Sequence, residues 1–136
     1  MVLVGPGQGG DSPMLNPLLD QLKVPRHGPG RPRTTPDALL GDKAYSARPH
    51  RQALRTRGVR VVIPEPTDQL AHRKRRGSAG GRPVAFDRDA YRGRNVVERA
   101  FNRCKQWRAV ATRYDKHAVI YRGGVVLAAI LIWLRS

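Results

Sequence analysis

The chain has 136 residues, and its 26 Lys and Arg against 10 Asp and Glu give a formal net charge of +16 at pH 7. This length fits one domain with a modest core, or part of a domain, and leaves little room for separate binding and catalytic modules. The single cysteine, Cys104, excludes an internal disulfide and a cysteine-based zinc site, which fits a reducing cytoplasm. The charge indicates a polyanionic partner, because most of the cations are Arg, whose planar fork binds phosphate bidentately.

Little regular structure is predicted in the first third of the chain. Residues 2–4 are apolar and are typical of the end of a strand that stops at Gly5. Residues 13–22 predict a short amphipathic helix, because leucines recur there at helical spacing. Residues 25–36 are rich in Pro, Gly and basic side chains and predict a loop.

A strand, a helix and a second strand are predicted next. The segment DALLGDKAY at residues 37–45 indicates a short buried strand, residues 46–57 a helix ended by Gly58, and residues 59–63 a strand. Two strands joined through a helix are expected to pair in parallel, with a right-handed connection. Ligands of open α/β sheets gather at the carboxyl ends of strands, and Asp42 is expected at such an end.

The next segment, residues 64–86, is predicted to be a flexible basic loop because Gly and Pro interrupt it. Its cations include Arg73, Lys74, Arg75 and Arg76.

Two helices are predicted in the last third of the chain. One begins near Asp87 or Asp89 and continues to about residue 107, and the other covers residues 116–134 after a break at 112–115. The apolar run VVLAAILIWL is about half as long as a membrane-spanning helix, so it is expected to be a buried helix and no membrane partner is expected.

The segment YRGRNVVERAFNRCK places four chemically distinctive side chains at helical separations. Counted from Glu98, Arg94 lies four residues before, Tyr91 seven before and Lys105 seven after, so a helix would project all of them from about one face. An acid surrounded by cations on a rigid helix suits phosphate and metal chemistry. The alternatives are purely structural roles, in which Glu98 is a surface acid paired with Arg94 or Asn102 and Tyr91 packs beneath the helix.

Tyr, Arg, Glu and Lys with two, three and six residues between them resemble the signature of bacterial insertion-sequence transposases of the DDE type. The resemblance continues, in order, through GPGQGGDSPMLNPLLDQL, DALLGDKAYSARPHRQALRTRGVRVVIPEP, the basic loop, YRGRNVVERAFNRCKQWRAVATRYDK and the apolar C-terminal helix. It implies that residues 1–136 form part of a catalytic domain. The implied fold is α/β, an incomplete RNase H-like fold with short parallel strands flanked by helices and a helical C-terminus.

The resemblance also implies a site. By position, Asp42 is similar to the second of the three catalytic acids of that family and Glu98 to the third, as ligands of Mg²⁺ or Mn²⁺. It implies DNA contacts from Tyr91, Arg94 and Lys105, and the cations of the basic loop are expected to add to them. The first acid is expected on a strand upstream of residue 1, which would make this a truncated transposase with weak or no activity alone. Asp42 could instead only cap the following turn.

The expected function is therefore that of a transposase fragment that binds transposon-end DNA in the bacterial cytoplasm, at the nucleoid. The expected assembly is a homo-oligomer or a mixed oligomer with an intact copy. Two alternatives remain open. One is a catalytically inactive DNA-binding remnant or regulator of an intact transposase. The other is a basic RNA-binding protein of ribosomal type, which would leave Asp42 and Glu98 unexplained.

Overall fold

The described residues, 2–5 and 9–135 of this computed structural model, form seven α-helices and two β-strands. The helices are α1 Leu15–Asp20, α2 Arg48–Thr56, α3 Thr67–Arg75, α4 Arg88–Arg92, α5 Asn95–Lys105, α6 Arg108–Thr112 and α7 Ala118–Leu134, and the strands are β1 Ala38–Leu40 and β2 Arg60–Val62. The backbone divides into two units. One contains residues 10–93, and the other contains residues 94–135 with the described residues before Gly10.

The strand, helix and strand of the first unit confirm the predicted crossover. Strands β1 and β2 pair in parallel, with Leu39 opposite Val61, and α2 connects them. Helix α2 ends as predicted at Gly58, whose φ of 70° lies in the left-handed region that glycine adopts without a steric cost. After this glycine, the amide of Val59 donates a 2.9 Å hydrogen bond to the carbonyl of Leu54, and the chain continues into β2. The chain is thus a mixed α/β protein.

The core of this unit is a small apolar cluster between the helices and the sheet. It consists of Leu15, Leu19, Leu54, Val59 and Ile63. Leu54 and Ile63 are completely buried, Leu54 on the face of α2 that packs against β2 and Ile63 directly after β2.

The prediction of a flexible loop at residues 64–86 is wrong for much of that segment. It contains α3 and a 3-10 turn at Gly77–Gly80. The helix forms because Asp68 lies in its first turn and its basic side chains lie in its last, which complements the helix dipole at both ends. Gly80 lets the turn pack on α3, since a Cβ there would lie 2.3 Å from the carbonyl oxygen of Arg73.

The predicted continuous helix from residue 87 or 89 to residue 107 is divided. It begins as expected, because the Asp87 carboxylate accepts a 2.9 Å hydrogen bond from the amide of Ala90. At Gly93 and Arg94 the α-helical hydrogen bonding is interrupted, and α4 and α5 are separate helices. A poor helix former at position 93 explains the break, since glycine loses more backbone entropy in a helix than other residues.

Two further expectations at the chain ends differ from the structure. Residues 2–5 form no strand, because they have no hydrogen-bonded strand partner among the described residues, while residues 6–8 of the GPGQGG segment lie outside the described part. Helix α7 is largely exposed where a buried helix is predicted: Leu127 is 57% and Trp133 74% exposed, and Ala128 is buried. Its contacts in this unit are to α5 and α6, which leave much of its surface uncovered. None of the helices in the described ranges is both long and apolar enough to cross a membrane.

Candidate functional site

Asp42 lies where the sequence predicts it, at the carboxyl end of β1. Gly41 brings the chain close to the end of β2, because its amide donates a 3.3 Å hydrogen bond to the carbonyl of Val62. A Cβ atom at position 41 would lie only 3.3 Å from the side chain of Ile63. Oδ1 of Asp42 accepts a 2.9 Å hydrogen bond from the amide of Ala44 and thereby caps the 3-10 turn Lys43–Tyr45. The capping role is therefore present, and because this bond uses one carboxylate oxygen, the other is left to bind a ligand.

Glu98 lies in α5 and pairs with Arg94, the residue that precedes the helix. Nη1 of Arg94 is 2.7 Å from Oε1 of Glu98, and the Glu98 side chain is 56% exposed. This is the surface pairing that the sequence offers as an alternative to metal binding. An exposed pair contributes about 1 kcal/mol or less, so it does not prevent the carboxylate from taking a stronger partner.

The other members of the predicted helical face are divided between the two units. Lys105 is exposed in the last turn of α5, on the same helix as Glu98. Tyr91 lies in α4 of the other unit, where its ring centroid is 5.2 Å from that of Phe86. The structure therefore places Arg94 and Glu98 in contact and puts Lys105 on their helix. It assigns Tyr91, like Asp42, to the unit of residues 10–93.

The four consecutive cations at the end of α3 have different surroundings. Lys74, Arg75 and Arg76 are exposed. The Arg73 side chain is only 16% exposed, and its Nη1 lies 2.9 Å from Oε2 of Glu65, itself 14% exposed, in an ion pair without hydrogen-bond alignment. The exposed three can meet a polyanion, whereas Arg73 fixes the helix to the chain segment after β2.

Sequence reasoning missed a buried polar network beside Asp42. Arg51 of α2 is 7% exposed and donates from Nε to the carbonyl of Ser46 and from Nη2 to those of Ile63 and Pro64. Burial lowers the pKa of the Arg51 guanidinium and the charge of Arg55 adds to this, while the carboxylate of Glu65 opposes it. The available signal is the spacing, because Arg51 precedes the buried Leu54 by three residues and so shares its helix face.

The donors of the two predicted acids have the chemistry that a hard divalent ion prefers. Mg²⁺ takes oxygen ligands and is commonly bound by one or two carboxylates together with substrate phosphates. Asp42 and Glu98 each have a carboxylate oxygen that the hydrogen bonds described above do not use. In the described parts of the chain, no group of three or more His, Cys, Asp or Glu side chains is arranged to hold a metal ion. The donor type of each carboxylate, taken separately, therefore fits a hard divalent ion.

Comparison with known proteins gives three matches. A family model described as "Transposase DDE domain" matches residues 1–133. The chain is 30% identical over 130 residues to a Brucella ovis protein provisionally named as the transposase for insertion sequence element IS6501. The matched residues make up 96% of this chain and 84% of that protein. It is also 30% identical over 122 residues to a Burkholderia cepacia protein provisionally named as the transposase for insertion sequence element IS402.

The second match covers 90% of this chain and 50% of its relative, so the chain spans about half the length of that protein. No solved structure matches the chain significantly. The family match extends over nearly the whole sequence and includes both Asp42 and Glu98. The chain therefore belongs to the transposase DDE domain family.

Proposed function

We propose that the chain is part of the catalytic domain of an insertion-sequence transposase, which binds transposon-end DNA and, when the domain is complete, carries out metal-dependent phosphodiester hydrolysis and strand transfer. The observation that carries this proposal is the family match over residues 1–133, in a chain where Asp42 lies two residues after the end of a strand of a parallel pair. An RNase H-like arrangement of the sheet is part of the same proposal, supported by the parallel pairing of β1 and β2. The site of action would be the bacterial nucleoid.

Asp42 and Glu98 are the residues that would hold a divalent ion, Mg²⁺ or Mn²⁺. When bound, the ion would stabilise the charge that develops on the phosphodiester and assist the attacking and leaving oxygens. The hydrogen bond that the Asp42 carboxylate accepts from the amide of Ala44 would hold it at the end of β1, and Arg94 would orient the carboxylate of Glu98. These contacts reduce the side-chain motion that metal binding would otherwise have to restrict.

DNA would be held by cations on both units. The exposed Lys74, Arg75 and Arg76 at the end of α3 form one group. Arg94, just before α5, and Lys105, in its last turn, form another that is close in sequence to Glu98. Tyr91 would contribute a substrate contact from α4. The net charge of +16 supports the proposal, because each neutralised phosphate releases counterions and adds to affinity at low salt.

Replacing Lys74, Arg75 and Arg76 together by Gln is expected to reduce the salt dependence of DNA binding. If each contacts one phosphate, the slope of log K against log salt should become shallower by about 1 per residue removed, or about 3 in all. The measurement is fluorescence anisotropy of labelled duplex DNA titrated with the protein at several salt concentrations.

The matched control replaces Lys23, Arg26 and Arg31, which are also exposed, so the net charge falls by the same amount. Its slope should remain close to that of the parent protein. Equal slopes for both triple variants would show that the end of α3 is not a specific phosphate contact, and a salt-independent affinity of the parent chain would contradict the proposed DNA interface.

A second function is favoured by the ion pair of Glu98. An exposed carboxylate that already pairs with Arg94 needs no metal to account for it. The chain would then be a catalytically inactive DNA-binding protein that occupies transposon ends or forms mixed oligomers with an intact transposase. It would bind DNA through the same cations without binding a divalent ion, so metal titration separates the two functions.

A further inference from the structure

Ser46 is a buried junction in the unit that contains Asp42. Its side chain is buried, with 5% of the residue exposed. Its amide donates a 3.1 Å hydrogen bond to the carbonyl of Lys43, which closes the 3-10 turn that Asp42 caps. Its carbonyl accepts from Nε of Arg51 at 3.1 Å, and its hydroxyl accepts from Nε2 of Gln69 at 3.2 Å. The turn, α2 and the basic helix α3 therefore meet at one residue.

Arg51 extends this junction to the end of β2. Its Nη2 donates hydrogen bonds of 2.9 Å to the carbonyl of Ile63 and of 3.3 Å to the carbonyl of Pro64. One planar guanidinium thus joins the end of the Asp42 turn to the chain that leaves the neighbouring strand. The amide of Gly41, which donates to Val62, makes the matching link on the other side of Asp42.

This arrangement is costly for an arginine. The Nη1 atom of Arg51 is buried and has no hydrogen-bond partner among the described residues, although Glu65 supplies an opposite charge. Burying a charged group with an unsatisfied N–H carries a desolvation cost, so stability alone gives little reason for a guanidinium here. A guanidinium that donates to three backbone carbonyl oxygens holds the segments that carry them in fixed positions, which no apolar side chain can do.

We propose that Arg51 is a positioning residue, which acts through Ser46 to hold the turn that carries Asp42 against the end of β2 and so sets the direction of the Asp42 carboxylate. The proposal rests on the proposed function, in which Asp42 binds a divalent ion. Partners that orient metal ligands from outside typically contribute 10–100-fold to metal affinity. A rigidly placed Asp42 would bind an ion more tightly than one on a free turn.

The test is Mn²⁺ titration of the purified chain, followed by the electron paramagnetic resonance signal of the free ion. Arg51→Met removes the three hydrogen bonds but retains much of the apolar stem, and it is expected to raise the Kd for Mn²⁺ by about tenfold or more. Arg51→Lys keeps the charge without the fork and should raise the Kd by a smaller factor. The control is Arg55→Met, an exposed cation of the same helix, which should leave the Kd within about twofold of the parent value.

A second readout separates positioning from general loss of stability. The amide of Ala44 donates to Asp42, so its NMR chemical shift and hydrogen exchange report on the placement of that carboxylate. Both should change in the Arg51 variants while the amides of β1 and β2 stay protected. If Arg51→Met does not fold, Arg51→Lys carries the test alone. An unchanged Kd and an unmoved Ala44 amide in the folded variant would overturn the proposal.

The Asp42→Asn variant distinguishes this failure from failure of the proposed function. If Asp42→Asn abolishes Mn²⁺ binding while the Arg51 variants bind normally, Asp42 is a ligand and the positioning role is wrong. If Asp42→Asn binds Mn²⁺ as well as the parent chain, the proposed function itself fails, and the positioning proposal fails with it.

Discussion

Asp42→Asn and Glu98→Gln are each expected to weaken Mn²⁺ binding by about 100-fold or more, and the double variant is expected to bind none that calorimetry detects. The reason is that each substitution replaces a charged oxygen ligand of a hard cation by a neutral amide, which should cost at least as much as the loss of an outer partner. Asn at position 42 retains the capping bond to Ala44, since Asn caps helical turns about as well as Asp. The loss of affinity would then reflect the ligand and not the fold.

Asp115→Asn is the matched control for this experiment. It removes the same charge from an exposed acid to which no site role is assigned, and it should bind Mn²⁺ like the parent chain. A parent chain that binds no Mn²⁺ even with transposon-end DNA present would favour the inactive DNA-binding regulator. Equal losses in all three single variants would mean that net charge, and not a specific site, governs ion binding.

Leu54→Ala is expected to reduce the free energy of unfolding of the unit of residues 10–93 by about 2–5 kcal/mol. Leu54 is completely buried at the centre of the core, and its removal leaves a cavity that the flanking Val59 and Ile63 can fill only partly. Because the chain has two units, global melting need not be two-state, so the measurement is hydrogen exchange of amides within this unit. The amide of Val59, which donates to the carbonyl of Leu54, is a suitable reporter.

The same substitution at Leu18 is the control, because this leucine lies in α1 of the same unit but is 40% exposed. Its effect should be about 1 kcal/mol or less. Equal effects at both positions would show that the unit does not depend on a core centred on Leu54.

Local patterns in the sequence predict the part of the fold that carries Asp42. The apolar residues of β1, the amphipathic face of α2 and the glycine after it give the correct order and parallel pairing, because each depends on neighbours in sequence. The segment of residues 64–86 is misjudged because its many Gly and Pro residues obscure a helix that depends on Asp68 and on the pairing of Arg73 with Glu65. The exposure of α7 depends on how many elements pack against it, which its own apolar sequence does not reveal.

The sequence predicts the contacts of the candidate site that depend on local spacing and misses those that depend on the fold. Spacing places Arg94 beside Glu98 correctly, since a separation of four residues is enough to bring helical side chains into contact. The same rule fails to place Tyr91 on one helix with them, because Gly93 interrupts the helix between. Arg51 and Ser46 escape prediction because their roles come from carbonyl groups that only the folded chain brings together.

Paramagnetic broadening by Mn²⁺ tests most directly whether Asp42 and Glu98 bind one ion. In NMR spectra of the chain with substoichiometric Mn²⁺, the backbone amides of both residues should broaden in parallel as the ion is added, because a shared paramagnetic centre would lie near each. Asp42→Asn should then remove the broadening at Glu98 as well as at position 42. Broadening at Glu98 that persists unchanged in this variant would contradict a shared ion and with it the proposed catalytic site.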